Sequence, residues 1–305
     1  MNKAVTILIP CYNGQNYLKR CLDSCVNQTY QNLKILVVND GSTDESQKII
    51  EEYMSKYPNI NLINQTNQGL SETRNILIQN CFTTYGYFVD VDDWIDQDCI
   101  EYFVKNSDDY DLVIGRSFIS KKNKNKNFWI NNKITKKTNN ESYLVNNDCF
   151  CWNVLFKTEY FKQFQFLKSA AFFEDIGLMS YVIYKTKKIK FILEPKYHYW
   201  INHNSISRSK INYKKIEDFY KQLEYFYNLI EHEKFINYPR AINDQLAFNH
   251  CIFFTYIEFK SDISKKDQKL FKQKLKNLEL NHQKIKFPKR WWKFWYFLFY
   301  RLSGY

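Results

Sequence analysis

Asp90-Val91-Asp92-Asp93 places three carboxylates within four residues, directly after the apolar run Tyr87-Phe88-Val89. The run predicts a strand over 85–91, and period-two geometry puts Asp90 and Asp92 on one face, with Asp93 opening the following loop. Hard oxygen ligands grouped this way hold Mg2+ or Mn2+, and such an ion neutralises a substrate's phosphates. The same four residues equally suit a turn with a helix cap. In Asn39-Asp40-Gly41-Ser42-Thr43-Asp44, capping of the next helix explains Ser42, Thr43 and Asp44 but leaves Asp40 pointing toward the ligand side. Glu174-Asp175 follows Phe172-Phe173; an acidic pair among aromatics suits a carboxylate whose pKa is raised by partial desolvation so that it can take a proton, and it also suits a helix start. His203, in Asn202-His203-Asn204-Ser205-Ile206-Ser207, is a candidate ligand or catalytic group.

The elements that must position these groups alternate in the first 115 residues. Short β-branched runs at 5–9, 33–39, 60–64, 85–91 and 112–115 predict strands, and apolar residues at three-to-four spacing predict helices over 17–28, 45–57, 70–81 and 98–106. Such alternation is the signature of a parallel sheet with crossover helices, whose ligands gather at the strands' C-terminal ends. The stretches to inspect are therefore 10–13, 39–44, 67–75 and 90–93. No GxGxxG follows the first strand and no GxxxxGK[ST] occurs, so the usual backbone cradles for dinucleotides and triphosphates are missing. Residues 117–142, rich in Lys and Asn, read as a long exposed loop or hairpin. Mixed patterns resume over 152–202, and from about Asp218 the chain reads as helical.

The chain has 305 residues, 45% hydrophobic and 18% aromatic, with seven Gly and five Pro, which excludes collagen-like and disordered classes. Its eight cysteines lie scattered in apolar runs without a CxxC pair, as expected of reduced thiols in a cytosolic chain. No signal-peptide core opens the sequence and no stretch reaches the roughly 18 apolar residues of a spanning helix. The net charge is +12, and residues 260–305 hold most of the excess, with 13 basic against 3 acidic side chains. Charge concentrated in one tail points to an anionic partner surface. Within that tail, 288–302 combines Trp291, Trp292, Trp295 and neighbouring Phe and Tyr with Lys and Arg, and predicts an amphipathic helix lying on an anionic membrane surface. Packing of that helix on the catalytic body is the alternative. Nucleic acid is not the expected partner, because the Lys-rich stretch before the tail carries no interleaved aromatic stacking platforms.

Taken in order, Thr6-Ile-Leu-Ile-Pro10-Cys-Tyr12-Asn13, Ile35-Leu-Val-Val-Asn-Asp40-Gly-Ser-Thr-Asp44, Asn67-Gln-Gly69-Leu-Ser-Glu-Thr-Arg74-Asn75, Phe88-Val-Asp90-Val-Asp92-Asp93 and Glu174-Asp175 resemble glycosyltransferase family 2 over about residues 4–207. The resemblance implies a GT-A fold, α/β with a mostly parallel Rossmann-like central sheet and flanking helices. It divides the chain into a catalytic domain at 1–207 (nucleotide-sugar half 1–116, acceptor half 117–207) and a helical C-terminal region at 208–305. It further implies inverting transfer of a hexose or N-acetylhexosamine from a UDP-sugar donor, with Mn2+ or Mg2+.

Carried over residue by residue, the resemblance sets Pro10, Tyr12 and Asp40 around the nucleoside base, Asp40 accepting from a uracil-like N–H. Asn13 and Asp90 join the donor side, Arg74 lies near the nucleotide, Asp92 at the ribose, donor sugar or metal, and Asp93 on the metal, with His203 as a further ligand. Asp175 matches the base that deprotonates the acceptor hydroxyl, and Glu174 orients it. One departure is Tyr199-Trp200-Ile201-Asn202-His203 where many members carry an Arg ahead of Ser-Ile-Ser, leaving His203 or Arg208 to compensate. The QxxRW element of processive polysaccharide synthases is absent. The tail is similar in type to those of glycolipid-synthesising members in wall-less bacteria. It suggests a cytoplasmic enzyme attached peripherally to the inner face of the membrane and acting on a glycolipid, lipid-linked or lipopolysaccharide-type saccharide acceptor. A soluble protein-glycosylating transferase and an inactive nucleotide-sugar-binding module are the alternatives.

Overall fold

A computed structural model describes residues 3–121, 124–130, 134–146, 150–170, 172–201, 211–232 and 263–281. The β-branched run at the N-terminus forms β1 (Val5–Cys11), buried throughout. It is followed by α1 (Leu18–Val26), β2 (Leu33–Asp40), α2 (Ser46–Met54), β3 (Ile60–Gln65), α3 (Leu70–Gln79) and β4 (Tyr85–Phe88). β1 pairs in parallel with β2 on one side and β4 on the other, and β2 with β3. Strands buried on both faces need continuous apolar sequence, and Val5, Ile7, Leu8, Ile9, Val37 and Val38 supply it. α1 turns Leu18, Cys21, Leu22 and Cys25 inward at helical spacing.

The chain continues through β5 (Trp94–Ile95), α4 (Cys99–Lys105), β6 (Leu112–Ile114), β7 (Ser117–Lys121) and β8 (Lys124–Ile130). Then come α5 (Asn140–Asn146), β9 (Val154–Lys157), α6 (Thr158–Phe161), α7 (Glu174–Lys185), β10 (Ile189–Phe191) and β11 (Tyr197–Trp200). The central sheet has seven strands in the order β10-β6-β9-β4-β1-β2-β3, and β9 alone runs against its neighbours. A smaller sheet in the order β5-β11-β7-β8 stands beside it. Within that sheet the Lys- and Asn-rich stretch pairs β7 with β8 antiparallel, so its first part is a hairpin.

Two helices of the C-terminal region fall among the described residues, α8 (Tyr213–Glu231) and α9 (Lys265–Asn281). α8 begins five residues ahead of Asp218 because the Asn212 side chain caps it, accepting from the Lys215 N–H at 3.0 Å. Ile216, Phe219, Leu223, Phe226 and Ile230 then line one stripe of α8, which packs with Tyr181 of α7 and with Phe271, Leu275 and Leu278 of α9. The predicted membrane helix at 288–302 lies outside the described residues, as do His203 and Arg208. Among the described residues no helix is long and apolar enough to cross a membrane.

Candidate active site

β1 lies where the strand order reverses, with β2 on one side and β4 on the other, and ligands of open α/β sheets bind outside the strand ends at such a point. Pro10 helps to open it. The Val89 N–H donates to the Leu8 carbonyl at 3.1 Å, the last rung between β1 and β4, and Pro10, two residues on, faces the same way with no N–H to continue the ladder. Tyr12 follows, 47% exposed, and offers a flat apolar surface just past the end of β1.

Asn13, expected on the donor side, ties the loop after β1 to the loop after β2. It adopts a left-handed backbone (φ 50°), a conformation Asn tolerates, and its Oδ1 accepts from the Thr43 N–H at 2.8 Å while its own N–H donates to Ser42 Oγ at 3.0 Å. Next to it the Gly14 N–H donates to Ser46 Oγ and the Gln15 N–H to Asp44 Oδ2. The Ser/Thr/Asp series after β2 therefore caps across to the neighbouring loop as well as locally.

Asp40, expected at the base, is 3% exposed and engaged by the loop ahead of α3. Its Oδ1 accepts from Gln65 Nε2 at 2.8 Å and from the Gln68 N–H at 2.7 Å, and its Oδ2 from the Gly69 N–H at 2.9 Å. The carboxylate thus shapes the 67–69 loop ahead of α3. Gly41 makes the approach possible: its φ is +71°, and a Cβ there would lie 2.8 Å from the Asn67 nitrogen.

The Asp90–Asp93 segment is a turn, and the expected strand over 85–91 stops at Phe88. The Asp93 N–H donates to the Asp90 carbonyl at 2.9 Å, so period-two alternation does not govern where these carboxylates point. Asp93, expected on the metal, is turned inward and fully buried. Its Oδ2 accepts from the Tyr197 hydroxyl at 2.6 Å and its Oδ1 from the Trp200 N–H at 2.7 Å, which pins the turn to β11. Burial, then the charges of Asp92 and Asp90, push its carboxyl well above the usual range. Asp92 and Asp90 stay half-buried.

Arg74, expected near the nucleotide, is 1% exposed on α3 and forks between two acids. One nitrogen bonds Asp90 Oδ1 at 2.8 Å and the other bonds Glu174. Phe88 and Phe166 lie beneath the guanidinium, each 5.8 Å from ring centroid to Cζ. Burial works against this charge, and Asp90 and Asp175 are among the groups that hold it up. Glu174 is therefore committed to Arg74, and it joins the acidic turn to the first turn of α7. Asp175, half-buried, is the next residue of that turn. Phe173, immediately before, takes a left-handed backbone (φ 61°, ψ 33°), unusual for a bulky side chain, while its ring packs edge-on to Phe219 of α8 at 4.9 Å.

Mg2+ and ions like it are held by one or two carboxylates together with substrate phosphates more often than by an all-protein cage. The acidic turn, with Asp92 and Asp90 both half-buried in it, suits that mode. Among the described residues no group of three or more His, Cys, Asp or Glu is placed to hold a metal ion. Tyr197 and Trp200, the partners of Asp93, carry no signal in the sequence beyond the aromatic run Tyr197-His198-Tyr199-Trp200.

The sequence profile described as Glycosyl transferase family 2 matches residues 6–164. Glycosyltransferase GlyA of Streptococcus pneumoniae serotype 4 is 33% identical over 224 residues, 67% of this chain, and the chain spans 31% of that protein's length. The processive diacylglycerol beta-glycosyltransferase of Mycoplasma pneumoniae is 27% identical over 246 residues, covering 74% of this chain and 72% of that protein. In fold, S. aureus TarS 1-349, solved in complex with UDP-GlcNAc, superposes with a TM-score of 0.74 at 19% identity, over 93% of this chain and 82% of that one. With the open crevice beside β1 and the acidic turn after β4, these matches identify the chain as a member of glycosyl transferase family 2, a glycosyltransferase of GT-A fold.

Proposed function

We propose that the chain transfers a hexose or N-acetylhexosamine from a UDP-sugar to a hydroxyl of a membrane-associated glycolipid or saccharide acceptor, inverting the anomeric centre in one displacement. The observation that carries this reading is the pair of half-buried acids, Asp92 and Asp175, held on separate elements that Arg74 links through Asp90 and Glu174. Pro10, Tyr12 and the loop that Asp40 holds border the base. Asp92, with Asp90 beside it, would hold Mn2+ or Mg2+ with the diphosphate, and the ion when bound offsets the charge growing on the leaving group. Asp175 takes the proton of the acceptor hydroxyl as it attacks. Glu174 positions that helix turn through Arg74. The UDP-GlcNAc bound by TarS and the diacylglycerol acceptor in the mycoplasmal relative's name support the choice of donor and acceptor class. The aromatic and basic residues at 288–302 support a membrane surface as partner and peripheral attachment to it.

The test is UDP release by purified protein with Mn2+ from UDP-glucose, UDP-galactose and UDP-N-acetylhexosamines, each with and without anionic liposomes carrying diacylglycerol. Release that needs one donor and the liposomes is expected. Slow lipid-independent hydrolysis would overturn the membrane acceptor, and no release from any donor would overturn UDP-sugar transfer.

A further inference from the structure

Arg20, on α1, carries a cation that no motif in the sequence marks. Its guanidinium lies 4.0 Å from the centroid of the Trp94 ring and 4.7 Å from that of Trp200. The two rings are themselves 5.9 Å apart at 54°, a wedge closed over the guanidinium. Trp94 is stacked in turn on His198 at 4.9 Å, and His198 Nε2 lies 2.8 Å from Asp96 Oδ1, so the wedge is anchored in the smaller sheet. The end of the Arg20 side chain is thus fixed before any ligand arrives.

Its hydrogen bonding is incomplete. Nη2 donates to the Asp92 carbonyl at 2.5 Å, which places the charge within one residue of the Asp92 carboxylate. Among the described residues Nε is enclosed without an acceptor, and Nη1, which is not enclosed, has no hydrogen-bond partner. Among the described residues Arg20 forms no ion pair, unlike Arg74, which has two carboxylates. Burial lowers its pKa from the usual guanidinium range, countered by Asp93 and Asp92, and an arginine stays charged under such conditions. A planar cation, held rigid by aromatic faces and presenting an open N–H edge, is matched to phosphate oxygens.

We propose that Arg20 is a diphosphate-binding residue of the donor site, its open Nη1 edge taking an oxygen of the nucleotide's diphosphate while Trp94 and Trp200 hold it in place. This rests on the reading of the crevice as a UDP-sugar site. It brings a cation next to the acidic turn, so that the donor's phosphates meet a fixed positive charge as well as the metal. The rival role for Arg20 is to brace the turn through the Asp92 carbonyl alone.

Calorimetric titration of the full chain with UDP and with uridine separates the two roles, because only UDP carries the phosphates. Arg20→Gln is expected to weaken UDP at least tenfold and to leave uridine within twofold. Arg20→Lys, which retains the charge without the planar fork, is expected to weaken UDP about three- to tenfold with uridine unchanged, and it answers the question if the Gln variant does not fold. Equal weakening of both ligands, or of neither, overturns the proposal in favour of a brace. If the wild-type chain binds UDP no better than uridine, the donor reading itself fails first, a result distinct from any pattern in the variants.

Discussion

The site's two acidic pairs are built on different scaffolds by one device. Asp92-Asp93 sits in a turn between β4 and β5, and Glu174-Asp175 in the first turn of α7. In each, one carboxylate is turned into the protein and hydrogen-bonded, while its neighbour stays half-buried. They differ in the partner. Asp93 is held by a phenol and a backbone N–H, both neutral donors. Glu174 is held by a full cation, Arg74, shared with Asp90. Neighbouring acids therefore need not share a role, and the anchor in each pair fixes where its neighbour points.

The comparison breaks most visibly at Asp175. Asp175→Asn should lower turnover by on the order of 10³-fold, as expected for removal of a general base, with UDP affinity nearly unchanged by titration; equal loss of both would remove its assignment as base. Arg74→Met leaves two carboxylates without their cation and should cost about 3–5 kcal/mol in denaturant unfolding. A loss below about 1 kcal/mol would mean that the shared cation does not hold the two elements together. Asp92→Asn should weaken Mn2+-dependent UDP binding about 100-fold, a few kcal/mol of lost charge stabilisation, with an unchanged melting midpoint. Asp93→Ala should do the reverse, lowering stability by about 1–3 kcal/mol per donor left unsatisfied. A stable Asp93→Ala enzyme with an altered metal requirement would restore Asp93 as a ligand and sink the anchor reading.

The smallest effect is expected beside the first loop. Burial pushes the Asp44 carboxyl up, but hydrogen bonds from Ser46 and the Gln15 N–H pull it lower overall than its ordinary value. A depressed folded-state pKa gives stability that is present above the unfolded value near pH 4 and is lost as the pH falls through the folded one. Unfolding midpoints measured between pH 5 and 2.5 should therefore fall more steeply for wild type than for Asp44→Asn.

Much of this was legible in the chain. The runs at 5–9, 33–39 and 60–64 became β1, β2 and β3, one or two residues longer at their C-terminal ends, and in β1 and β2 the signal is clear because buried parallel strands require continuous apolar sequence. The 85–91 run misled because Val89 and Val91 extend the apolar pattern past the point where the backbone turns at Asp90. Which acid of a run faces inward was not legible, since its partners are remote. Asp93 meets Tyr197 and Trp200 at separations of 104 and 107 residues, and Arg74 meets Glu174 at 100. Local spacing carries no record of such pairings, whereas the cross-loop bonds of Asn13 at least join loops that both follow strands of one sheet.

Phe173 has a consequence for anyone seeking a sturdier catalyst. A bulky residue in the left-handed region stores about 1–3 kcal/mol of backbone strain, directly ahead of Glu174 and Asp175. Phe173→Gly would release that strain but also remove the ring that meets Phe219, freeing the start of α7 from α8. Selection for heat tolerance alone would meet a conflict at this position, because relief of the backbone comes with a looser aim for the acid next to it.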